Sequence, residues 1–339
     1  MSKVARSEFS LIDTFTACFD VAPSPRGPGD DCAVLPVGQG ELCVTTDAVV
    51  EDVHFTRARF SLEDVGHKAL AVNLSDLASM GAAPAWFLCA LGLPRGFSAA
   101  EARKLGRGMA ALARAHRIAL AGGNVTSARE LSVTVTAAGL VPRGRALLRS
   151  GARPGDLLYV SGTLGDARLG LSLLDAAPRS PPALRQKRPT PRVALGLLAA
   201  RFARAAIDVS DGFAQDLGHV CEASGVRAEV HLPRLPRSAA LSRHLLDPDE
   251  AALFAAQGGE DYELILAVPP DRASAFERAC ARYGEGITHV GEVQKGSGVI
   301  LRTSSGKAVP PPRGFDHRMS TGEQARGGRH LTPWESGAK

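Results

Sequence analysis

The sequence predicts an α/β (α+β) chain folded as two domains, and three observations carry that expectation. Its 339 residues exceed the roughly 100 to 200 that usually share one core. Short apolar runs that read as strands are interleaved with runs of helical period, once before residue 142 and again after it. Between the two sets lies Pro142-Arg-Gly-Arg-Ala-Leu-Leu-Arg-Ser-Gly-Ala-Arg-Pro-Gly155, whose Gly, Pro and Arg mark a junction. The expected boundaries are 1–142 for the first domain and 143–319 for the second. Residues 320–339, full of Gly, Ser, Arg and Glu, read as a disordered tail.

In chain order, Cys32 to Leu35 and Leu42 to Thr46 read as two strands punctuated by Gly and Pro, each with acids at one end. Residues 62–80 place Val65, Ala69, Val72, Leu77 and Met80 at helical spacing, and the run stops at Gly81. Trp86 to Leu93 reads as a buried strand. Ser98-Ala-Ala-Glu101 is a capping box that opens a helix to about His116. Leu131, Val133, Val135 and Ala137 alternate with Ser132, Thr134 and Thr136, the pattern of a strand with one dry face. The second set comprises a strand at Leu157 to Ser161, a helix after Gly165 and a helix from about Gly212 to Ala223. A strand at Tyr262 to Val268 and a helix at about 272–283 complete it.

Composition narrows the function classes. Hydrophobic residues at 45%, charged residues at 22% and a mean hydropathy of -0.02 describe an ordinary soluble globular chain, not a membrane or disordered one. The apolar runs are broken well before the roughly 20 residues a bilayer crossing needs. The first residues lack an apolar signal core, so a cytoplasmic location is expected. Six cysteines, at 18, 32, 43, 89, 221 and 280, fall singly without a Cys-x-x-Cys pair, which suggests neither a zinc ribbon nor a disulfide framework. The net charge of +5 suits an anionic small substrate better than nucleic acid, because the arginines are scattered and aromatic residues, the stacking platforms, make up only 5%.

Acids recur at the ends of these elements: Asp30, Asp31, Asp47, Asp76, Asp208, Asp211, Glu260 and Asp261. Singly, each is the ordinary turn or N-cap aspartate. Carboxylates brought within about 4 Å would repel by roughly 4 kcal/mol per pair at an effective dielectric near 20, unless a cation or protons intervened. Magnesium, which prefers a few carboxylates together with substrate phosphates, suits a scattered set of this kind. Asp76 points the same way, since it lies four residues after Val72 and seven after Ala69, on the helix face meant for the core. A lone carboxylate there needs a metal, a cation such as Lys68 or an Arg, or hydrogen bonds.

Ser210 reads as the N-cap of the helix that carries Phe213, Leu217 and Val220, with Asp208 and Asp211 flanking it. Gly122-Gly-Asn124 and Gly162-Thr-Leu-Gly165 are either ordinary tight turns or loops whose amides approach a phosphate. Arg149, between Leu148 and Ser150-Gly151, is a candidate phosphate clamp in a basic junction. His54 is a packed histidine or a phosphate contact. No Walker A sequence and no Gly-rich kinase loop with its lysine is present.

Taken together, Gly29-Asp-Asp-Cys-Ala33, Thr45-Thr-Asp47 with His54-Phe55, Lys68-Ala-Leu-Ala-Val-Asn-Leu-Ser-Asp-Leu-Ala-Ser-Met-Gly-Ala82, Arg149-Ser-Gly-Ala-Arg-Pro-Gly-Asp156, Asp208-Val-Ser-Asp-Gly212 and Gly258-Gly-Glu-Asp-Tyr-Glu-Leu264 resemble the thiamine-monophosphate kinase family. The resemblance runs in order from about Glu8 to His317. It implies the fold shared with aminoimidazole ribonucleotide synthetase, with an N-terminal α/β domain that forms a homodimer and a C-terminal α/β domain covering the nucleotide. It implies ATP as co-substrate, thiamine monophosphate as acceptor, several Mg2+ ions, and neither nucleic-acid nor membrane partners. By the same resemblance Asp31, Thr45, Thr46, Asp47, Asp76, Asp208 and Asp211 hold magnesium; Gly123, Arg149 and Ser210 touch ATP; His54, Glu260 and Phe315 line the acceptor pocket.

One position departs from the family pattern. Asn124 stands where the family has an aspartate in Gly-Gly-Asp-Thr, so a magnesium and ATP contact becomes a neutral amide. Two other readings stand beside the kinase. One is an ATP-dependent synthetase of the same fold, for which Cys18 is the nearest reactive cysteine although no Gly-rich loop precedes it. The other is a non-catalytic nucleotide or thiamine-phosphate binder, which Asn124 permits.

Overall fold

A computed structural model of the chain describes residues 30–312 and Gly314. Cys18, Phe315 and the tail at 320–339 lie outside the described residues.

The first half builds β1 (Ala33–Val37), β2 (Gly40–Val50), α1 (Leu62–Ser79), β3 (Ala83–Leu93), α2 (Ala99–His116), β4 (Ala119–Ser127) and β5 (Ser132–Pro142). The strands form one sheet in the order β1-β2-β5-β3-β4. Only β3 and β4 run parallel; the other neighbours are antiparallel. Strand β2 extends past the expected Thr46 because its ladder with β5 continues through Asp47↔Val135 to Val50↔Ser132. The polar stretch Thr45-Thr46-Asp47 interrupts the apolar run, which resumes at Ala48, Val49 and Val50 inside the same strand.

Both long helices begin where their capping boxes place them. The Ser61 hydroxyl accepts from the Asp64 amide and the Asp64 carboxylate takes the Ser61 amide; Ser98 and Glu101 do the same for α2. Helix α1 stops in a left-handed Gly81 (φ 65°), and the Ala82 amide closes back on the Leu77 carbonyl at 2.8 Å. The two helices meet backbone to backbone: a Cβ on Gly66 would overlap the Leu105 carbonyl, and one on Gly108 the Glu63 carbonyl.

Strand β3 is not the buried strand that its composition suggests. Phe87 is buried, but Leu88 is 39% exposed, because the helices cover one face of the sheet only. The uncovered face presents Leu35, Leu88 and Leu140, and edge strand β4 is exposed along its whole length.

The second half adds β6 (Leu157–Ser161), α3 (Asp166–Leu173), α4 (Pro181–Lys187), α5 (Val193–Ala199), β7 (Ala205–Asp208), α6 (Phe213–Ser224) and β8 (Arg227–His231). It continues with α7 (Ala239–His244), α8 (Pro248–Gln257), β9 (Leu264–Val268), α9 (Pro270–Tyr283), β10 (Ile287–Gln294), β11 (Gly298–Arg302) and β12 (Ala308–Val309). Its seven strands run β12-β11-β8-β10-β6-β9-β7. Strand β9 begins at Leu264 and not at Tyr262, because Glu260 (φ 64°) and Tyr262 (φ 50°) sit in the left-handed region, which a strand cannot use.

Helix α1 is shared by the two halves. It packs on β2 and β5 on one side and on β7 and α5 on the other. At the α5 crossing a Cβ on Gly196 would overlap the Ala78 carbonyl. Of its 18 residues, 14 are buried, Lys68, Asn73, Ser75 and Ser79 among them, so polar groups are carried into the seam between the two sheets. Buried polar groups of this kind need partners.

Candidate active site

Asn73 donates to the Ala69 carbonyl of its own helix, whereas the partners of Lys68, Ser75 and Ser79 are acids singled out in the sequence. Thr45 Oγ1 on β2 donates to Asp76 Oδ2 at 2.5 Å. Ser75 Oγ donates to Asp208 Oδ2 at the end of β7 at 2.6 Å, and Ser79 Oγ donates to Asp31 Oδ2 at 2.5 Å. Two acids from outside the helix, Asp31 and Asp208, are thus tied to α1 beside its own Asp76. Asp47 lies close enough to Asp76 for its charge to be felt there.

Burial and then the charges of Asp47, Asp208 and Asp31 push the Asp76 carboxyl well above the usual carboxylate range, against the Thr45 hydrogen bond. Asp208, 3% exposed, is pushed up to about 8 by burial and by Asp31, with Ser75 and Arg149 pulling the other way. Arg149 is the one nearby cation among the described contacts. Its Nε donates to Asp31 Oδ1 at 3.0 Å, its Nη2 bonds the same oxygen, and its backbone amide donates to Asp30 Oδ1 at 2.6 Å. One guanidinium does not neutralise this set, and hard oxygen donors at this density fit magnesium.

The Ser210 segment differs from the expectation. The N-cap of α6 is Gly212 (φ 137°), with no side-chain cap, so Ser210 is not the capping residue. Asp216, inside the first turn, does that work: its Oδ2 accepts from the amides of Ser210, Asp211 and Gly212 at 3.1, 3.2 and 3.0 Å. Asp211 is steadied by Gln215 Nε2 at 3.1 Å. Asp211, Asp216 and His219 bring ligand atoms within 4.8 Å of one another, but Asp216 is committed to the three amides.

The Gly162 to Gly165 turn is also internally occupied. The amides of Gly165 and Ala167 donate to the Asp261 carboxylate at 2.5 and 2.9 Å, so an acid of the chain itself sits at the start of α3 where a phosphate was one reading. Gly122, Gly123 and Asn124 lie inside β4, not in a loop after a strand. In register, Gly123 shares a row with Cys89, Val135 and Asp47, whereas Asn124 shares one with Ala90, Thr134 and Ala48. Adjacent strand residues face opposite ways, so Asn124 falls on the uncovered face, away from Asp47. About three strand spacings of roughly 4.8 Å also separate β4 from β2. Thr46 belongs to the uncovered face as well, its hydroxyl donating to the Val135 carbonyl at 3.1 Å. Within the chain the structure therefore groups Asp31, Thr45, Asp47, Asp76, Asp208 and Arg149, and leaves Asn124 and the Thr46 hydroxyl outside that group.

A second constellation lies around Glu260. Lys68, 1% exposed, extends from α1 to Glu260 Oε1 at 2.6 Å, and Gln186 Nε2 on α4 donates to Glu260 Oε2 at 2.5 Å. The sequence reading offered Lys68 as a partner for Asp76; it serves Glu260 instead. The charge of His54 reaches the same carboxylate. The His54 ring is set by the Val50 amide, which donates to its Nδ1 at 3.1 Å. His54 and Glu260, two of the three expected acceptor residues, are thus neighbours, while Phe315 lies outside the described residues. Sequence reasoning missed Ser75, Ser79, Gln186 and Asp216. For the first two a signal existed, since polar residues at 75 and 79 share a buried helix with Asp76.

Comparison with known proteins agrees with this layout. The family model for the AIR synthase related protein N-terminal domain matches residues 29–141, and that for the C-terminal domain matches residues 153–304. The thiamine-monophosphate kinase of Escherichia coli (strain K12) is 40% identical over 328 residues, covering 93% of this chain and 99% of the relative. That of Bacillus subtilis (strain 168) is 39% identical and covers 91% and 99%. Among solved structures, AaThiL complexed with AMPPCP and TMP superposes with a TM-score of 0.81 at 32% identity, covering 93% of this chain and 100% of its own. Thiamine-monophosphate kinase from Stenotrophomonas maltophilia K279a gives 0.74 at 42% identity, covering 89% and 98%. Identity at this level over nearly the whole length of both partners, on a fold that gathers the motif acids at one seam, makes the chain a member of the thiamine-monophosphate kinase family.

Proposed function

We propose that the chain transfers the γ-phosphoryl group of ATP to thiamine monophosphate, giving thiamine diphosphate and ADP. The observation that carries the proposal is the convergence of Asp31, Asp47 and Asp208 around Asp76 of α1, two turns along the same helix from Lys68 and its partner Glu260. Relatives of near-equal length bear the kinase name, and one was solved with an ATP analogue and TMP. A phosphate oxygen of the acceptor attacks the γ-phosphorus in line, and the bond from that phosphorus to the β–γ bridging oxygen breaks. No covalent enzyme intermediate is needed.

Asp31, Thr45, Asp47, Asp76, Asp208 and Asp211 would hold magnesium. Bound there, the metal offsets the charge of two anionic reactants and of the transferring group. The protein's own part is positional. Ser75, Ser79 and Thr45 fix the carboxylates, Arg149 offers its fork to a nucleotide phosphate, and Ser210 and Gly123 contact ATP. His54 and Glu260 receive the acceptor. The test is incubation of the purified protein with ATP, magnesium and thiamine monophosphate, following thiamine diphosphate by chromatography. Absence of product at high enzyme concentration removes the proposal.

The same proposal includes a homodimer through the uncovered face of the first sheet, where Leu35, Val37, Leu88 and Leu140 are 39% to 49% exposed. Asn124 faces that side, away from the acids of its own subunit, so any metal it meets is one reached through the partner subunit. Asn124→Asp, which restores an anionic oxygen, is then expected to lower the free magnesium needed for half-maximal rate. An unchanged requirement would mean that position 124 meets no metal in either subunit. A cytoplasmic location belongs to the proposal too; among the described residues no helix is long and apolar enough to cross a membrane.

A further inference from the structure

Lys68 has no place in the phosphoryl-transfer scheme, yet it is among the largest fully buried side chains of the chain. Burying an ammonium is costly unless it is paired. Its Nζ meets Glu260 Oε1 at 2.6 Å, donates to the Gln186 carbonyl at 3.3 Å and lies 5.7 Å from the centre of the Phe60 ring. Glu260 is held at both carboxylate oxygens and at its backbone. Gln186 Nε2 takes its second oxygen at 2.5 Å, and its amide donates to the Ser210 carbonyl at 2.7 Å. Its backbone sits at φ 64°, a conformation a non-glycine residue keeps only where its surroundings enforce it.

Despite these ties, 31% of the Glu260 side chain stays open, and the His54 charge bears on it. A residue serving only to neutralise Lys68 would gain nothing from that opening. Burial alone would raise the Glu260 carboxyl; Lys68, Gln186 and His54 bring it below its usual value, so it remains anionic. The thiazolium ring of the acceptor carries a fixed positive charge, the complement of such a carboxylate.

We propose that Lys68 is a positioning residue for acceptor recognition: reaching across from α1, it holds the Glu260 carboxylate in the orientation that receives the cationic part of thiamine monophosphate. The proposal rests on the kinase reading above. It adds that affinity for the acceptor is set from the same helix that carries Asp76, two turns away. Gln186 shares the task from α4.

The experiment compares wild type with Lys68→Met, Lys68→Arg, Glu260→Gln and the double variant Lys68→Met/Glu260→Gln. In Lys68→Met the KM for thiamine monophosphate is expected to rise about tenfold, with kcat and the KM for ATP within about twofold of wild type. Tenfold corresponds to about 1.4 kcal/mol. Lys68→Arg, which keeps the charge, should recover part of the loss. The double variant removes both charges at once and so avoids an unpaired buried one; its acceptor KM should match that of Glu260→Gln alone, because Lys68 acts through Glu260. If the two effects instead multiply, or if kcat falls with the acceptor KM unchanged, Lys68 does not position Glu260 and the proposal fails. Should Lys68→Met not fold, the double variant and Lys68→Arg still decide it. A wild type that forms no thiamine diphosphate overturns the kinase reading, and this proposal falls with it; a wild type that turns over beside a Lys68 series with unaltered acceptor KM overturns this proposal alone.

Discussion

Asp76→Asn is expected to lower turnover by about 10³-fold while leaving the metal-free protein at least as stable as wild type. The two effects have one origin. Asp76 is surrounded by Asp31, Asp47 and Asp208, and its only described hydrogen-bond donor is Thr45. In the absence of metal a buried fourth charge in that group is a liability: burial first, and then the charges of Asp47, Asp208 and Asp31, push its carboxyl up. Asparagine keeps the shape and still accepts from Thr45 Oγ1. With nucleotide and magnesium bound, as the proposed reaction requires, the liability would become the function, because an anionic oxygen at this position would help hold the metal that offsets charge on the transferring phosphoryl group. Loss of one such preorganised interaction costs roughly 10²- to 10³-fold.

The pH dependence gives this prediction a second readout. A carboxyl whose folded value is raised favours the folded state only while protonated. The destabilisation it causes is absent below the unfolded value, near 3.9, and grows as pH rises towards the folded value. Asp208, raised to about 8, adds a destabilisation of the same sign. The melting temperature of magnesium-free wild type should therefore fall between pH 5 and pH 8, and Asp76→Asn should fall less. Retained activity together with a lower melting temperature at every pH would make Asp76 a structural residue.

How far the sequence could be read depended on whether a residue's task was local. The capping box joins Ser98 to Glu101 only three residues on, the stop at Gly81 directly follows the apolar run of α1, and both helices appear as their spacing predicts. Asp76 was legible because a carboxylate on an apolar stripe breaks the pattern of its own helix. Residues whose partners come from distant segments were not. Lys68 meets Glu260 across 192 positions of sequence, and no periodicity announces it. Asp216 took the capping role assigned to Ser210 because three amides converge on one carboxylate, a result of backbone path and not of residue type. The open face of β3 was illegible for a different reason: an apolar strand reads as buried whether its cover is supplied by the same chain or by another.

Glu263→Ala is expected to destabilise the protein by about 3 to 5 kcal/mol, the largest stability effect anticipated for a single substitution here. Glu263 is 0% exposed on the segment just before β9. It accepts from Arg192 Nε and Nη2 at 2.7 and 2.6 Å, from Ser161 Oγ at 2.5 Å and from Arg185. It thereby ties β6 to the arginines of α4 and of the segment entering α5. Truncation leaves two guanidinium groups facing each other without their shared anion, which costs more than the pair contributes when intact. Glu263→Gln, which keeps the volume and one acceptor, should cost less. Because Arg185 precedes Gln186 on α4, loosening this anchor also reaches the Glu260 constellation, so the alanine variant should show a raised acceptor KM at temperatures where it remains folded. Thermal melts read the first effect: at about 2 to 4 °C per kcal/mol for a domain of 150 to 250 residues, a fall of roughly 10 °C is anticipated. A shift below about 2 °C would mean that water or a neighbouring acid replaces the carboxylate, and that the buried ion pairs contribute little beyond the packing around them.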